Sequence, residues 1–244
     1  MTIVTLSILL SVLGTTPPQG EDDTPESGLV EGKVSILAGE TAVELPHLGP
    51  IVAHLRPIGE PKPVKLPVEN PKIQQKNARF HPDFLVVCQG QTVEMPNDDK
   101  IYHNVFSYSK PNAFDLGLYR QGTSRSVRFD DPGVVKIYCS IHESMNGVIL
   151  VTETLHHARV KTDGSFRIAD IPPGEYTLVI WCERLPERTS QVTIEAGETS
   201  VEQVRITLGG TSDEAQSSRT PEDGTIRKSS ARVDTSCCSE AERP

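Results

Sequence analysis

Apolar positions in this chain alternate, and no segment sustains the period of an amphipathic helix. Val127 and Phe129 alternate with Ser126 and Arg128. After the turn Asp131-Pro132-Gly133, residues Val135, Ile137 and Cys139 fall on one face of an extended segment, with Lys136 opposite. Phe166 and Ile168 follow a Thr162-Asp163-Gly164 turn, and Tyr176, Leu178 and Ile180 follow Pro172-Pro173-Gly174. Further strands are expected at LVEGKVSIL (29–37), PIVAHLRPI (50–58), FLVVCQGQTVEM (84–95, split by a Gly turn), GVILV (147–151), SQVTIEAG (190–197) and VEQVRITL (201–208). Many short strands separated by Gly and Pro turns predict an all-β fold of sandwich type.

Breaks in this pattern divide the chain. Residues 1–20 read as a secretory signal: a short apolar run, with Val12-x-Gly14 as a small-residue cleavage site but no Lys or Arg ahead of it. A frayed N-terminal strand is the alternative. A Pro- and acid-rich linker follows. Residues 28–70 hold the first strands and end in EPKPVKLPVENP, too rich in proline for a helix or central strand. Residues 71–152 form one strand-rich unit and residues 154–208 another. The tail, 209–244, is polar and expected to be disordered.

The net charge is −9 with no Lys/Arg block, which argues against nucleic acid as a partner and favours a cationic one. Past the signal, no stretch is apolar enough for a membrane helix. Of five cysteines, Cys88 and Cys182 lie in apolar runs and read as buried thiols; Cys237 and Cys238 sit in the tail. His47, His54 and His81 are isolated and read as surface or hydrogen-bonded, and His156-His157 as an exposed linker. Asp98-Asp99 and Asp130-Asp131 read as turn residues, and Trp181 as core or as a sugar-stacking surface. No hydrolase, Walker or zincin motif is present.

The densest chemistry is YCSIHESMNG, 138–147, where Cys139, His142 and Met145 share one short loop. A thiolate and a thioether suit Cu(I), and imidazole suits both copper states. Upstream, His103-Asn104 offers another imidazole. Zinc takes Cys and His as well, but a thioether is a poor zinc ligand.

These two segments resemble the cupredoxins, most closely their amicyanin, pseudoazurin and plastocyanin branch. The resemblance implies a Greek-key β-sandwich holding one type 1 copper ion. His103, Cys139 and His142 would be its equatorial ligands and Met145 its weak axial one, with Asn104 bracing the two ligand segments. Ile141 stands where many members carry proline. Residues 158–208 resemble the carboxypeptidase regulatory-like (transthyretin-like) β-sandwich through T-D-G-x-F-x-I and P-P-G-x-Y-x-L, but lack that family's first two strands. Candidates for those strands lie at 28–36 and 51–55, and about fifty residues alone would bury too little surface to be stable. The cupredoxin is therefore expected as an insertion, with two sequential domains as the alternative. Pairing of LVEGKVSI distinguishes the two. The combination also resembles cupredoxins that carry methylamine-utilisation names.

The expected function is single-electron transfer by a non-enzymatic, monomeric protein of the periplasm or cell exterior. Its partner would be a redox protein such as a c-type cytochrome or a dehydrogenase. Phe106 and Phe114 are expected to shield the centre from water. The rivals are a copper carrier without redox turnover and an adhesion or carbohydrate-binding module.

Overall fold

The computed structural model describes residues 27–59 and 64–208. The proposed signal, most of the linker after it and the tail with Cys237 and Cys238 lie outside the described residues.

The fold is all-β, built as two β-sandwiches. Its strands are β1 (Gly28–Ala38), β2 (Thr41–Ala42), β3 (Ile51–Pro57), β4 (Gln74–Lys76), β5 (Arg79–His81), β6 (Phe84–Cys88), β7 (Thr92–Pro96), β8 (Phe106–Ser107), β9 (Phe114–Asp115), β10 (Ser124–Arg128), β11 (Gly133–Tyr138), β12 (Asn146–Thr152), β13 (His157–Arg159), β14 (Ser165–Ile171), β15 (Gly174–Cys182), β16 (Leu185–Ile194) and β17 (Thr199–Leu208). One 3-10 turn, Leu45–Leu48, is the only helical element among the described residues. No helix there is long and apolar enough to cross a membrane.

The first sandwich faces the sheet β14-β1-β17, extended by β2, against β13-β3-β15-β16. β1 pairs antiparallel with β14 and parallel with β17, the latter from Leu29↔Thr199 to Ala38↔Leu208. It pairs with no strand of residues 74–152 among the described residues. β3 lies between β13 and β15. The alternation seen in the sequence sets the core: Val30, Val34 and Ile36 from β1 meet Phe166, Ile168, Tyr176, Leu178 and Ile180. Gly32 lets β1 pass under Phe166; a Cβ there would sit 2.4 Å from that ring and 2.7 Å from the Glu202 carbonyl.

Residues 74–152 form the second sandwich. The sheet β6-β12-β11-β8-β9 covers one side and β10-β7 the other. Val87, Val93, Met95, Phe129, Val135, Ile137 and Ile149 fill the space between. The hairpin β4–β5 lies beside β7 through the isolated bridges Lys72↔Glu94 and Gln75↔Asn97.

A third apolar cluster joins the sandwiches. Val52 and Trp181, on the outer face of β3 and β15, pack on Phe84 and Leu150. Arg159 caps this contact, its guanidinium 4.8 Å from the Phe84 ring centre and its Nη2 donating to the Phe84 carbonyl at 2.8 Å. Trp181 is therefore core, 4 % exposed, and not a free stacking surface.

The same junction buries two histidines that were expected elsewhere: His54 as surface or hydrogen-bonded, and His157 in an exposed linker. His54 is 3 % exposed because it shares the outward face of β3 with Val52. His157 stands opposite it on β13, half-buried rather than in an exposed linker. Burial drives the His54 imidazole down to about 4, with Glu153 opposing and Arg56 and His157 adding to the shift. Cys88 and Cys182 are buried free thiols. Burial pushes the Cys88 thiol up to about 11, and the Glu153 carboxylate adds to it.

Candidate metal centre

β11 ends at Tyr138, and the chain turns through Ser140–Ser144 before β12 begins at Asn146. Two backbone bonds close this turn: Cys139 N–H donates to the Met145 carbonyl (3.2 Å) and Met145 N–H to the His142 carbonyl (2.9 Å). Gly147 then admits the crossing chain, since a Cβ there would stand 2.9 Å from the Asp83 carbonyl. The strand ends thus present the loop from a rigid base.

His103 arrives from the segment between β7 and β8. It exchanges backbone hydrogen bonds with Tyr119, at 3.3 and 2.9 Å. Asn104 spans the two segments: its Oδ1 accepts from Ser140 N–H at 2.8 Å and from Ser140 Oγ at 2.9 Å.

Together these elements gather one nitrogen from His103, one from His142 and the Cys139 sulfur, all within 4.8 Å of one another. Cys139 Sγ lies 3.7 Å from His103 Nδ1, and the two imidazole rings are 4.9 Å apart, tilted by 55°. His103 is fully buried, Cys139 nearly so, and His142 half-exposed. The buried Nδ1 of His142 has no hydrogen-bond partner. A buried nitrogen left this way costs free energy, and a metal ion would take its lone pair. Met145, 1 % exposed, is packed in the same core cluster as Cys139. The donors present — two imidazoles and a thiol with a thioether next in the core — fit a soft metal held by nitrogen and sulfur.

Of the two aromatics expected to shield the centre, Phe106 lies against Tyr108 and Tyr138, with ring centres at 5.2 and 5.9 Å. Phe114 packs edge-on against Phe129. Four residues next to the site segments in the chain are exposed: Ile101 and Tyr102 before His103, Leu118 before its backbone partner Tyr119, and Ile141 before His142.

Asp99 was missed by the sequence reading, which left it in a solvated turn. Its Oδ2 accepts from His103 Nε2 at 2.8 Å. Asp99 also accepts from two amides, Asn77 N–H on Oδ1 (2.6 Å) and Ala78 N–H on Oδ2 (2.8 Å). Burial alone would raise the Asp99 carboxyl, but the two amides and His103 outweigh it and hold the group below its ordinary value. No local signal marks Asp99, because the amides come from a hairpin about twenty residues upstream.

Tyr119, the backbone partner of His103, is itself pinned. Its hydroxyl donates to the Met95 carbonyl at 2.7 Å and accepts from Gln75. Arg125 lies over its ring. Burial pushes the phenol up to about 12, against the opposing pull of the Gln75 bond and Arg125.

A family model described as "Polysaccharide lyase family 4, domain II" matches residues 151–201. No curated protein matches the chain. Among solved structures, the chain is similar to an amicyanin variant in its Cu(I) form, with 20% identity, 34% of this chain and 81% of that one covered, and a TM-score of 0.32. It is also similar to a purple cupredoxin from Nitrosopumilus maritimus (25% identity, 34% and 100% covered, TM-score 0.31). A third is a copper-containing nitrite reductase from Thermus scotoductus SA-01 (26% identity, 41% and 26% covered, TM-score 0.35).

Proposed function

We propose that His103, Cys139 and His142, with Met145 as a weak fourth donor, hold one copper ion in a type 1 site, and that the protein is an exported, non-enzymatic single-electron carrier. The observation that carries this reading is the convergence of two imidazole nitrogens and one thiol sulfur within 4.8 Å, one of the imidazoles having a buried nitrogen without a partner. When bound, the ion supplies exchange of one electron between Cu(I) and Cu(II). The chain's own part is to hold the donors still. Asn104 fixes the loop to the His103 segment, and the core packing of Cys139 and Met145 keeps water from the sulfurs. Little rearrangement of the donors is then needed between the two charge states.

The second sandwich is read as a copper domain inserted into the first. Its partner would be a redox protein such as a c-type cytochrome, meeting the exposed Ile101, Tyr102, Leu118 and Ile141 and the half-exposed His142. Residues 71–152 carry nine Lys and Arg against eight Asp and Glu, a net +1, so the rest of the chain carries the −10 that brings the whole to −9. Charge steering at the copper face is correspondingly weak.

The test is a visible spectrum with metal analysis. One equivalent of Cu(II) is expected to give an intense charge-transfer colour, and Cys139→Ser to abolish it. Colourless binding, or equal colour in the variant, would sink the reading.

A second reading concerns the first sandwich alone. The match of residues 151–201 to a polysaccharide lyase domain favours a carbohydrate-binding role. Polysaccharide binding that persists in the metal-free protein would support it.

A further inference from the structure

We infer that the β4–β5 hairpin is a positioning device for His103, acting through Asp99. The inference rests on the reading of His103 as a metal ligand. It concerns a feature of the chain with no obvious connection to metal binding: a short polar hairpin outside both main sheets of its sandwich.

Two successive residues at the tip of this hairpin, Asn77 and Ala78, take left-handed backbone angles, with φ of 55° and 50°. Asparagine tolerates that conformation; alanine has no side-chain bond to favour it. The turn therefore holds a conformation that its sequence does not prefer. What it gains is the aim of two consecutive amides, both of which donate to the Asp99 carboxylate. Strained backbone of this kind collects where geometry serves a site.

Asp99 passes that constraint on. Each Asp99 oxygen already accepts an amide hydrogen bond, so the carboxylate faces His103 as an acceptor and Nε2 is the donor in the 2.8 Å contact. The neutral imidazole then has its lone pair on Nδ1, the atom 3.7 Å from Cys139 Sγ. A carboxylate partner fixes both the tautomer and the rotation of a histidine in this way.

The hairpin grips the histidine backbone as well. Gln75, fully buried on β4, donates to the Tyr119 hydroxyl and to the Met95 carbonyl. Tyr119 in turn exchanges both backbone bonds with His103. One three-residue arm and its turn thus constrain His103 along two routes, side chain and main chain.

The experiment uses the full chain without metal and reads the His103 ring by nitrogen-15 NMR. The wild type is expected as the Nε2–H tautomer, with a slowly exchanging ring proton. In Asp99→Ala that proton is expected to exchange at least about tenfold faster and the tautomer preference to be lost, with Cu(II) affinity reduced about 10- to 100-fold. Asp99→Asn, which keeps one acceptor oxygen, should fall between. Replacing Ala78 by lactic acid deletes one amide donor and should speed exchange, while Ala78→Gly, which keeps the amide and relaxes the turn, should leave tautomer and affinity unchanged. An Nδ1–H tautomer in the wild type, or unchanged exchange in both Asp99→Asn and the ester, would overturn the inference even if Asp99→Ala fails to fold. Should the tautomer behave as expected while Cu(II) gives no colour, the copper reading falls and the positioning role of Asp99 stands.

Discussion

Trp181 lies on Phe84 with ring centres 5.5 Å apart and planes 9° from parallel, and this pair is the centre of the contact between the two sandwiches. Their residues are nearly a hundred positions apart, so the contact belongs to neither core. Phe84→Ala is expected to cost about 3–5 kcal/mol. Its loss falls on the joint, so denaturant unfolding followed by Trp181 fluorescence and by copper colour should separate into two transitions. A single coincident transition would show that the joint is not centred on this pair.

Asn104→Ala removes both bonds to Ser140, one to its amide and one to its hydroxyl. At about 1 kcal/mol each, the loop loses about 2 kcal/mol of restraint. The donors remain, so the protein should still take up copper but release it faster. A chelator-competition rate, compared with wild type at equal temperature, reads this directly.

Acid should loosen the junction. His54 is neutral when folded, with its imidazole held at about 4 against 6.5 in an unfolded chain. Below about pH 6.5 the unfolded chain takes up a proton that the folded one refuses, so stability falls with pH until about pH 4. The shift corresponds to a loss on the order of 3 kcal/mol. Burial also lowers His156 and His157, which act in the same direction. Metal-free protein melted between pH 7 and pH 4 should therefore lose less stability as His54→Leu than as wild type; equal slopes would exclude His54 as a source.

Gly32→Ala has no room. The new methyl would lie 2.4 Å from the Phe166 ring and 2.7 Å from a backbone carbonyl, and the carbonyl cannot swing aside. Overpacking of this kind costs about 1–3 kcal/mol. The variant should melt lower while its copper spectrum stays unchanged, because Gly32 belongs to the first sandwich.

Electron exchange with a c-type cytochrome should depend only weakly on salt. With charges nearly balanced over residues 71–152, the rate is expected to change less than about tenfold between low and physiological ionic strength, where strong steering changes it by about 10–10³. Stopped-flow mixing across that range measures it, and a steep decline would return the acidic surface to the interface.

Much of this architecture is legible in the sequence because alternation reports which face of a strand is buried. Tyr176, Leu178 and Ile180 enter the first core as their spacing predicts. Alternation fails where a strand is buried on both faces, and that is why His54 reads as surface or hydrogen-bonded: β3 packs Ala53 and Leu55 inward and Val52 against the other sandwich, with His54 buried on the same face as Val52. Cys139, His142 and Met145 are legible as donor types at short spacing, and His103 as a separate imidazole upstream. Asp99 was not, because its partners Asn77 and Ala78 lie in a hairpin whose turn carries none of the usual glycine signal.

The parallel pairing of β1 with β17 has a consequence for synthesis. On the ribosome β1, with its short partner β2, and β3 emerge before residues 74–152, whereas their remaining sheet partners, β13 to β17, follow only after them. Those intervening residues have all their own strand partners and can close around their core while β1 and β3 still wait with apolar stripes bare. Among the described strands, β1 and β3 are thus made before the intervening domain and matched with most of their neighbours only after it, and during that interval they are open to wrong pairing or to chaperone capture.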